Sequence, residues 1–170
     1  MDRFGPVAAD ERFDPISEAR RQWVARGLPE PLAMTAATSI VRAQQIVLTA
    51  VDRVLRPLGL TFARYEVLML LSFTRRGALP MTKIGDRLMV HPTGITKLVD
   101  RLEHDGLVIR LPNPMDRRGT LAQITPAGRR LARKATRLVG EIRFGVDLES
   151  AKLDAITLLL NDVRQAAGDL

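Results

Sequence analysis

The sequence has 170 residues, of which 46% are hydrophobic and 26% charged, enough for one globular domain with a sizeable core. Its net charge of +7 and its pI of about 10.9 favour an anionic partner, either nucleic acid or a membrane surface. It has no cysteine and two histidines, which excludes disulfides and cysteine metal sites and argues against a histidine-rich metal site. No metal and no other cofactor is expected.

The N-terminal stretch "MDRFGPVAADERFDP" carries no apolar core of the kind that a secretory signal needs. No run of about 18 apolar residues occurs, so a membrane span is not expected. The sequence therefore predicts a cytoplasmic protein. Residues 1–15, which are polar and contain glycine and proline, are expected to be disordered or frayed.

The first predicted helices occupy residues 16–60. A short helix begins with Ser17 as its N-cap and ends at Gly27, because serine caps helices well and glycine ends them. After the breaker "LPEP", a long helix has apolar residues at near-helical spacing and ends at Pro57 and Gly59.

Three helices are predicted next, within a lobe that spans residues 61–125. The first has Thr61 as an N-cap candidate and is apolar nearly all round, which is typical of a buried helix. The second, "LPMTKIGDRLMV", is short. The third, "HPTGITKLVDRLEHDG", has Pro92 at its first position and Gly106 at its end.

The β-rich segments "LVIRL" and "TLAQIT" flank the turn "PNPMDRRG" and predict a hairpin. A last helical region, assigned to 126–170, begins at Thr125 or Pro126 and is interrupted near Gly145 and Asp147. Two short helices followed by a hairpin is the order of a winged helix-turn-helix. The predicted fold is therefore mainly α, a winged helix-turn-helix with long dimerisation helices and one β-hairpin wing.

The third helix of the lobe is amphipathic. Its apolar residues share one face, and the opposite face carries polar side chains behind a small first turn: Thr93, Thr96, Lys97, Asp100 and Arg101. The free N–H groups of such a helix start can approach a phosphate or a base edge. An ordinary amphipathic surface helix would show the same pattern, and this alternative stays open.

The tip of the predicted hairpin carries Asp116, Arg117 and Arg118. A narrow DNA minor groove attracts arginine through its negative potential, and an aspartate can fix the direction of a neighbouring guanidinium. A solvated charged turn is the alternative. Residues 81–130 contain nine Lys/Arg against five Asp/Glu, whereas residues 131–170 contain six of each, so the basic excess lies in the predicted lobe.

The stretch "DRLMVHPTGITKLVDRLEHDGLVIRLPNPMDRRGTLAQITPAGR", residues 86–129, resembles the DNA-binding core of the MarR family of bacterial transcriptional regulators. Its "DRRGTLAQITPAG" is similar to that family's wing signature, with Ile124 where leucine is usual. The resemblance implies a homodimer on double-stranded DNA, with residues 92–105 in the major groove and Arg118, held by Asp116, in the minor groove. The DNA-binding residues would be Thr93, Gly94, Thr96, Lys97, Arg101, Asp116, Arg117 and Arg118.

The extra N-terminal helix with its single tryptophan is similar to the urate-responsive branch of that family. This resemblance implies an effector site formed by Trp23, Tyr65, Glu66 and Phe73, with the extra helix as its roof. Phe73 and Lys97 stand where that branch has arginines, so a different small organic acid or an aromatic effector is expected instead of urate. The alternatives are that Trp23 only packs its helix, and that Glu66 pairs with an arginine such as Arg64 or lies at the helix edge.

No catalytic motif is present, so an enzyme is not expected and no catalytic residue is predicted. The expected function is a repressor that binds a palindromic operator and is released by a small molecule. The alternative is a ligand-independent architectural DNA-binding protein. A dimer is also expected because two apolar helix stripes seek a partner: Val47, Val51 and Val54, and Ile156, Leu159, Leu160 and Val163.

Overall fold

The computed structural model describes residues 13–116 and 119–169, which belong to two compact units. The first unit ends at Ile46 and the second begins at Val47, so the boundary lies inside one long helix. Most of the segment that the sequence predicts as frayed, residues 1–12, lies outside the described residues.

The first unit contains helix α1, Pro15–Ala25, and the beginning of helix α2, Pro31–Leu55. Asp14 is the N-cap of α1, and one of its carboxylate oxygens accepts the Ile16 N–H at 3.0 Å. The prediction that Ser17 caps this helix is therefore wrong. Ser17 instead donates its hydroxyl to Asp14, because Pro15 fits the first helical position and an aspartate before it can cap.

The second unit begins with the rest of α2, which ends in a 3₁₀ turn, Arg56–Leu58. Helix α3, Phe62–Ser72, follows, and its predicted cap Thr61 accepts the Arg64 N–H. Asp52 of α2 accepts the Phe62 N–H at 2.8 Å, which fixes the turn between the two helices. Helices α4, Met81–Leu88, and α5, Pro92–His104, complete the helical part of the predicted lobe.

A three-stranded antiparallel sheet contains the predicted hairpin. Strands β2, Val108–Pro112, and β3, Thr120–Ile124, pair from Val108 opposite Ile124 to Pro112 opposite Thr120. Strand β1, Ala78–Pro80, adds to the other edge of β3, so the order is β1-β3-β2. The sequence analysis missed β1, because three residues are too few to establish an alternating pattern.

The C-terminal part contains helix α6, Pro126–Glu141, and helix α7, Ser150–Ala166. The Thr125 hydroxyl accepts the Gly128 N–H at 3.0 Å, which confirms the predicted cap. The predicted interruption is confirmed by a 3₁₀ turn, Arg143–Gly145, in which Phe144 and Gly145 have φ values of 55° and 75°. None of the described helices is long and apolar enough to cross a membrane.

The core of the second unit is aliphatic, as the composition predicts. Val51 of α2 is completely buried in this core, and Val47 and Val54 pack against it. The prediction that these three valines need a second subunit to cover them is therefore wrong, since the core of the same chain covers Val51 and packs against Val47 and Val54. The α7 stripe of Ile156, Leu159, Leu160 and Val163 is exposed, as predicted.

Gly128 provides a sharp test of how α6 is joined to the sheet. A methyl group at this position would lie 2.2 Å from the Leu107 carbonyl oxygen and 2.8 Å from the Ile124 side chain. We expect Gly128→Ala to reduce the free energy of unfolding by about 1–3 kcal/mol, because backbone must move to make room. Urea denaturation monitored by circular dichroism measures the change.

Gly140→Ala, on the same helix, is the matched control. No atom lies within 4 Å of its added methyl group, so alanine should stabilise the helix by up to about 1 kcal/mol. Equal effects of the two substitutions would contradict the close approach of α6 to the sheet.

Candidate functional site

Helices α4 and α5 meet at a tight turn. Helix α4 ends at Met89, whose φ of 53° is left-handed, and the Val90 N–H donates to the Gly85 carbonyl at 3.1 Å. Gly85 is buried, and a methyl group there would lie only 3.1 Å from the Val90 carbonyl oxygen. The small residue therefore allows the turn to fold back closely, which fixes where α5 begins.

Helix α5 divides into a buried and an exposed face, as its sequence predicts. Ile95, Val99 and Leu102 are buried in the core. The predicted DNA-binding residues of this helix lie away from that core, exposed except for the partly buried Gly94: Thr93, Gly94, Thr96, Lys97 and Arg101. The structure thus brings these residues to one surface with the right polarity for DNA, and their contacts with DNA stay a prediction.

The connection between β2 and β3 is held closed by backbone hydrogen bonds. The Asn113 N–H donates to the Gly119 carbonyl at 3.1 Å, and the Gly119 N–H donates to the Asp116 carbonyl at 2.9 Å. The Asn113 side-chain oxygen also accepts the Met115 N–H. We call this closed segment, in which Asn113, Asp116 and Gly119 are hydrogen-bonded, the hairpin neck. Asp116 is exposed there.

Arg117 and Arg118 lie outside the described residues. The predicted bracing of Arg118 by Asp116 and the predicted minor-groove contact therefore both stay predictions. What the described residues establish is that the chain reaches this position through a closed, hydrogen-bonded neck.

Arg110 of β2 joins the sheet to α5, and the sequence analysis did not identify it. Its guanidinium lies 2.6 Å from Asp100 and 2.6 Å from Glu103, and it also donates to the Thr96 carbonyl at 3.4 Å. The second Glu103 oxygen accepts the Arg110 backbone N–H at 3.1 Å. These four contacts attach one strand of the hairpin to the proposed DNA-reading helix.

We call the contacts of Arg110 with Asp100, Glu103 and Thr96 the Arg110 clamp. Its two carboxylates favour the charged form of the arginine. Burial alone would lower the pKa of Arg110, but the hydrogen bonds to Asp100 and Glu103 outweigh it and raise the pKa. The arginine also compensates two carboxylates on a helix that would otherwise repel phosphates. Two acids spaced i, i+3 on α5 and one basic residue in β2 were the sequence signal, but the pairing depends on how strand and helix are packed.

A second group of charged residues surrounds Asp105, at the C-terminal end of α5. The pKa of Asp105 is lowered, first by the hydrogen bond from His104 and then by the nearby Arg101 and Arg64. Arg64 lies 3.4 Å from Asp105. The alternative in which Arg64 pairs with Glu66 is therefore wrong, because α5 presents a carboxylate to Arg64 that the sequence could not place.

Three of the four residues predicted to bind an effector line one groove in the second unit. Tyr65 and Glu66 of α3 and Phe73 at its C-terminal end line a space of about 290 Å³ together with Phe62, Leu88 and Phe144. Tyr65 is buried, and its hydroxyl is 3.1 Å from the Thr136 hydroxyl of α6. Burial raises the pKa of the Glu66 carboxyl. The sequence analysis missed Phe62, Met69 and Leu70 of α3, and it missed Leu88 and Phe144, which come from other elements.

Trp23, the fourth predicted residue, belongs to the first unit. Its indole N–H donates to the Pro29 carbonyl at 2.7 Å, and the side chain is partly buried. This bond ties α1 to the segment that follows it, which agrees with the packing alternative. The prediction that Trp23 also lines the groove stays a prediction.

Comparisons of the sequence and of the structure with known proteins point to the same family. The model of the MarR family matches residues 60–120, which run from the residue before the Thr61 cap of α3 to the first residue of β3. The chain spans about half the length of the first curated relatives that it matches: 47% of MhqR from Bacillus subtilis at 43% identity, and 59% of MarR from Escherichia coli at 34% identity. The matched region contains every residue predicted to bind DNA.

Solved structures extend the likeness over most of the chain. Sco5413, a MarR family transcriptional regulator from Streptomyces coelicolor, is 51% identical with a TM-score of 0.76, over 81% of this chain and 96% of that one. A mutant MarR from E. coli complexed with operator DNA is 27% identical, with a TM-score of 0.68 over 75% and 91%. CouR from Rhodococcus jostii RHA1, bound to p-coumaroyl-CoA, is 29% identical, with a TM-score of 0.66 over 75% and 90%.

The Arg110 clamp predicts a measurable contribution to stability. Arg110→Met removes the charge but keeps an apolar stem, so it leaves Asp100 and Glu103 uncompensated and partly desolvated. We expect a loss of about 1–2 kcal/mol in the free energy of unfolding, discounted because the carboxylates are partly exposed. Urea denaturation at neutral pH measures it.

Arg137→Met is the control for removing a surface arginine. Its partner Glu141 is 3.9 Å away and both side chains are well exposed, so we expect a change below about 0.5 kcal/mol. A loss for Arg110→Met no larger than that of the control would show that the clamp does not hold β2 to α5.

Proposed function

The chain belongs to the MarR family of winged-helix regulators, and we propose that it controls transcription by binding an operator in double-stranded DNA. Members of this family are DNA-binding transcriptional regulators and not enzymes. The observation that carries the proposal is the exposed polar face of α5 beside a closed hairpin, in the region that matches the family.

In this proposal α5 enters the major groove. Thr93, Gly94 and Thr96 approach the DNA with the helix start, while Lys97 and Arg101 reach phosphates or base edges. The hairpin places Arg117 and Arg118 at the neighbouring minor groove, with Asp116 fixing the direction of Arg118. The crystallised complex of the related E. coli MarR with operator DNA supports a DNA partner for this chain.

A homodimer and a palindromic operator belong to the same proposal. The exposed α7 stripe of Ile156, Leu159, Leu160 and Val163 would be covered by the same stripe of a second copy. A twofold dimer presents two copies of α5, and these fit two half-sites separated by about one turn of DNA. The four side chains are spaced i, i+3, i+4 and i+7 on α7, so one partner surface can cover them together.

We further propose that the protein is a repressor that a small molecule releases from DNA. A ligand that binds more tightly to the form with unsuitable α5 spacing would lower operator affinity by shifting the population. CouR, bound to p-coumaroyl-CoA, is a related protein with a small-molecule ligand. The aromatic lining of the α3 groove supports the aromatic part of the sequence-based expectation of an organic acid or aromatic effector.

Footprinting on genomic fragments tests the proposed function. We expect a protected palindrome whose two halves lie on one face of the DNA, because a twofold dimer docks two helices about one turn apart. An architectural protein would instead coat the fragment without a fixed boundary. Continuous protection that grows with protein concentration would contradict the regulator and favour that alternative.

Arg118→Ala tests the minor-groove contact. We expect operator binding to weaken by about 1–3 kcal/mol, with the largest loss where A·T-rich flanks narrow the groove. Asp116→Ala should act in the same direction but less, since it only positions the arginine. Fluorescence anisotropy at about 0.15 M salt measures both.

Arg137→Ala serves as the control, because Arg137 of α6 is neither among the residues proposed to contact DNA nor in the α7 stripe, and it pairs with Glu141 on the exposed surface. It removes one positive charge and should leave operator affinity nearly unchanged. Wild-type affinity of Arg118→Ala on the same operator would contradict the role proposed for the hairpin.

A further inference from the structure

Glu66 is an unusual carboxylate in this protein. Four carboxylates among residues 13–116 and 119–169 are partly buried, and three of them have partners: Glu18 with Arg21, Asp52 with the Phe62 N–H, and Glu103 with Arg110. Glu66 is the fourth, and it makes no hydrogen bond or ion pair with a described residue. A partly desolvated carboxylate without a partner costs free energy, which a bound partner would recover.

The surroundings of Glu66 are aromatic. Phe62, Tyr65, Phe73 and Phe144 line the same groove, although the whole chain has only five Phe, one Tyr and one Trp. The rings of Phe62 and Tyr65 are stacked, with their centroids 6.1 Å apart. Phe73 is 76% exposed and Phe144 is 43% exposed. Large exposed rings around one carboxylate offer an apolar surface and ring faces, and both suit an organic cation.

The other charges that could meet a ligand are absent from the described lining. No Lys, Arg or His lines the groove, and Arg64, the nearest arginine along α3, pairs with Asp105. Helix α4 and the 3₁₀ turn contribute Leu88 and Phe144, so the ionisable lining residues are Glu66 and Tyr65. The Tyr65 hydroxyl is engaged with Thr136. An acidic ligand would therefore face a carboxylate with no cation to compensate it.

We propose that the α3 groove binds a small organic cation, an apolar or aromatic body with one protonated amine that pairs with Glu66. This inference rests on the proposed small-molecule response and names the chemical class of the effector. The volume of about 290 Å³ lies at the lower end of the roughly 300–1,000 Å³ of ligand pockets, so the body is about one ring and a short chain. In the groove the amine pairs with the Glu66 carboxylate, and the ligand contacts the faces of the aromatic rings at the same time.

Three probes with one body separate the charge from the apolar contact: phenylbutylamine, phenylbutanol and phenylbutyric acid. Isothermal titration calorimetry on the full-length protein measures each affinity directly, without DNA. We expect the amine to bind about tenfold more tightly than the alcohol, as a charge-assisted hydrogen bond gives, and the acid to bind most weakly. Equal or tighter binding of the acid would overturn the proposal, as would failure of all three probes to bind.

Glu66→Gln keeps the shape of the side chain and removes its charge. In this variant we expect the amine and the alcohol to bind equally. Asp154→Asn, on the exposed surface of α7, removes one negative charge outside the groove and should keep the preference for the amine. A preference for the amine that survives Glu66→Gln would show that Glu66 does not select the ligand.

The pH dependence gives an independent readout. The pKa of Glu66 is raised, so its carboxylate becomes protonated as the pH falls while the amine stays charged. Amine affinity should therefore fall as the pH is lowered from neutral in the wild type and stay flat in Glu66→Gln, which controls for every other group that titrates. A parallel decrease in both proteins would overturn the assignment to Glu66.

Operator binding is measured separately, with and without the amine. If the amine binds through Glu66 but leaves operator affinity unchanged, the groove assignment stands and the proposed release by a small molecule fails. If no operator is bound at all, the proposed function fails independently of the calorimetry.

Discussion

The burial of α5 is the constraint on which the rest of the structure depends. Ile95, Val99 and Leu102 are anchored in one aliphatic core, and this anchoring turns the opposite side of α5 outward. A helix held by its buried face presents its other side chains at fixed positions, and recognition of DNA by shape and base edges requires such fixed positions. The same core also receives β3 and α6, so the hairpin and the helix are positioned by one set of contacts.

The Arg110 clamp adds direction to that packing. Apolar contacts are not directional, whereas the paired contacts of a guanidinium with Asp100 and Glu103 fix the relative position of strand and helix. Since β2 leads directly to the hairpin neck, the clamp relates the proposed major-groove helix to the proposed minor-groove tip. Arg110 also neutralises Asp100 and Glu103, so these two acids of α5 do not cancel the positive charge of Lys97 and Arg101 on its exposed side.

The position of the groove suggests how a ligand could influence DNA binding. The groove lies along α3, and α3 packs against both α5 and α6. A ligand that separates Phe73 from Leu88 would act on α3 and α4, which both contact the proposed DNA-reading helix α5. The energetic requirement is differential affinity for two arrangements of α5, so a small displacement is enough if the two arrangements bind the operator differently.

The sequence by itself determined the main elements, their order and their exposed faces. Caps such as Thr61 and Thr125, the terminators Gly59 and Gly106, and the alternation in β2 and β3 are local signals, and each acts within a few residues. The apolar periodicity of α5 likewise separated its buried residues from those proposed to bind DNA. The Asp14 cap was missed by three residues because aspartate and serine compete for the same role at that helix start.

Only the tertiary structure decided which residues from distant parts of the chain meet. The three-residue strand β1 forms because β3 provides a partner edge, and its own sequence carries no strand pattern. Arg64 pairs with Asp105, Arg110 pairs with Asp100 and Glu103, and Phe144 joins the α3 groove because folding brings these side chains together. The valine stripe of α2 was predicted to be a dimer interface because periodicity identifies a buried face but not its partner. The packing of the whole chain shows that the partner is the core of the same chain.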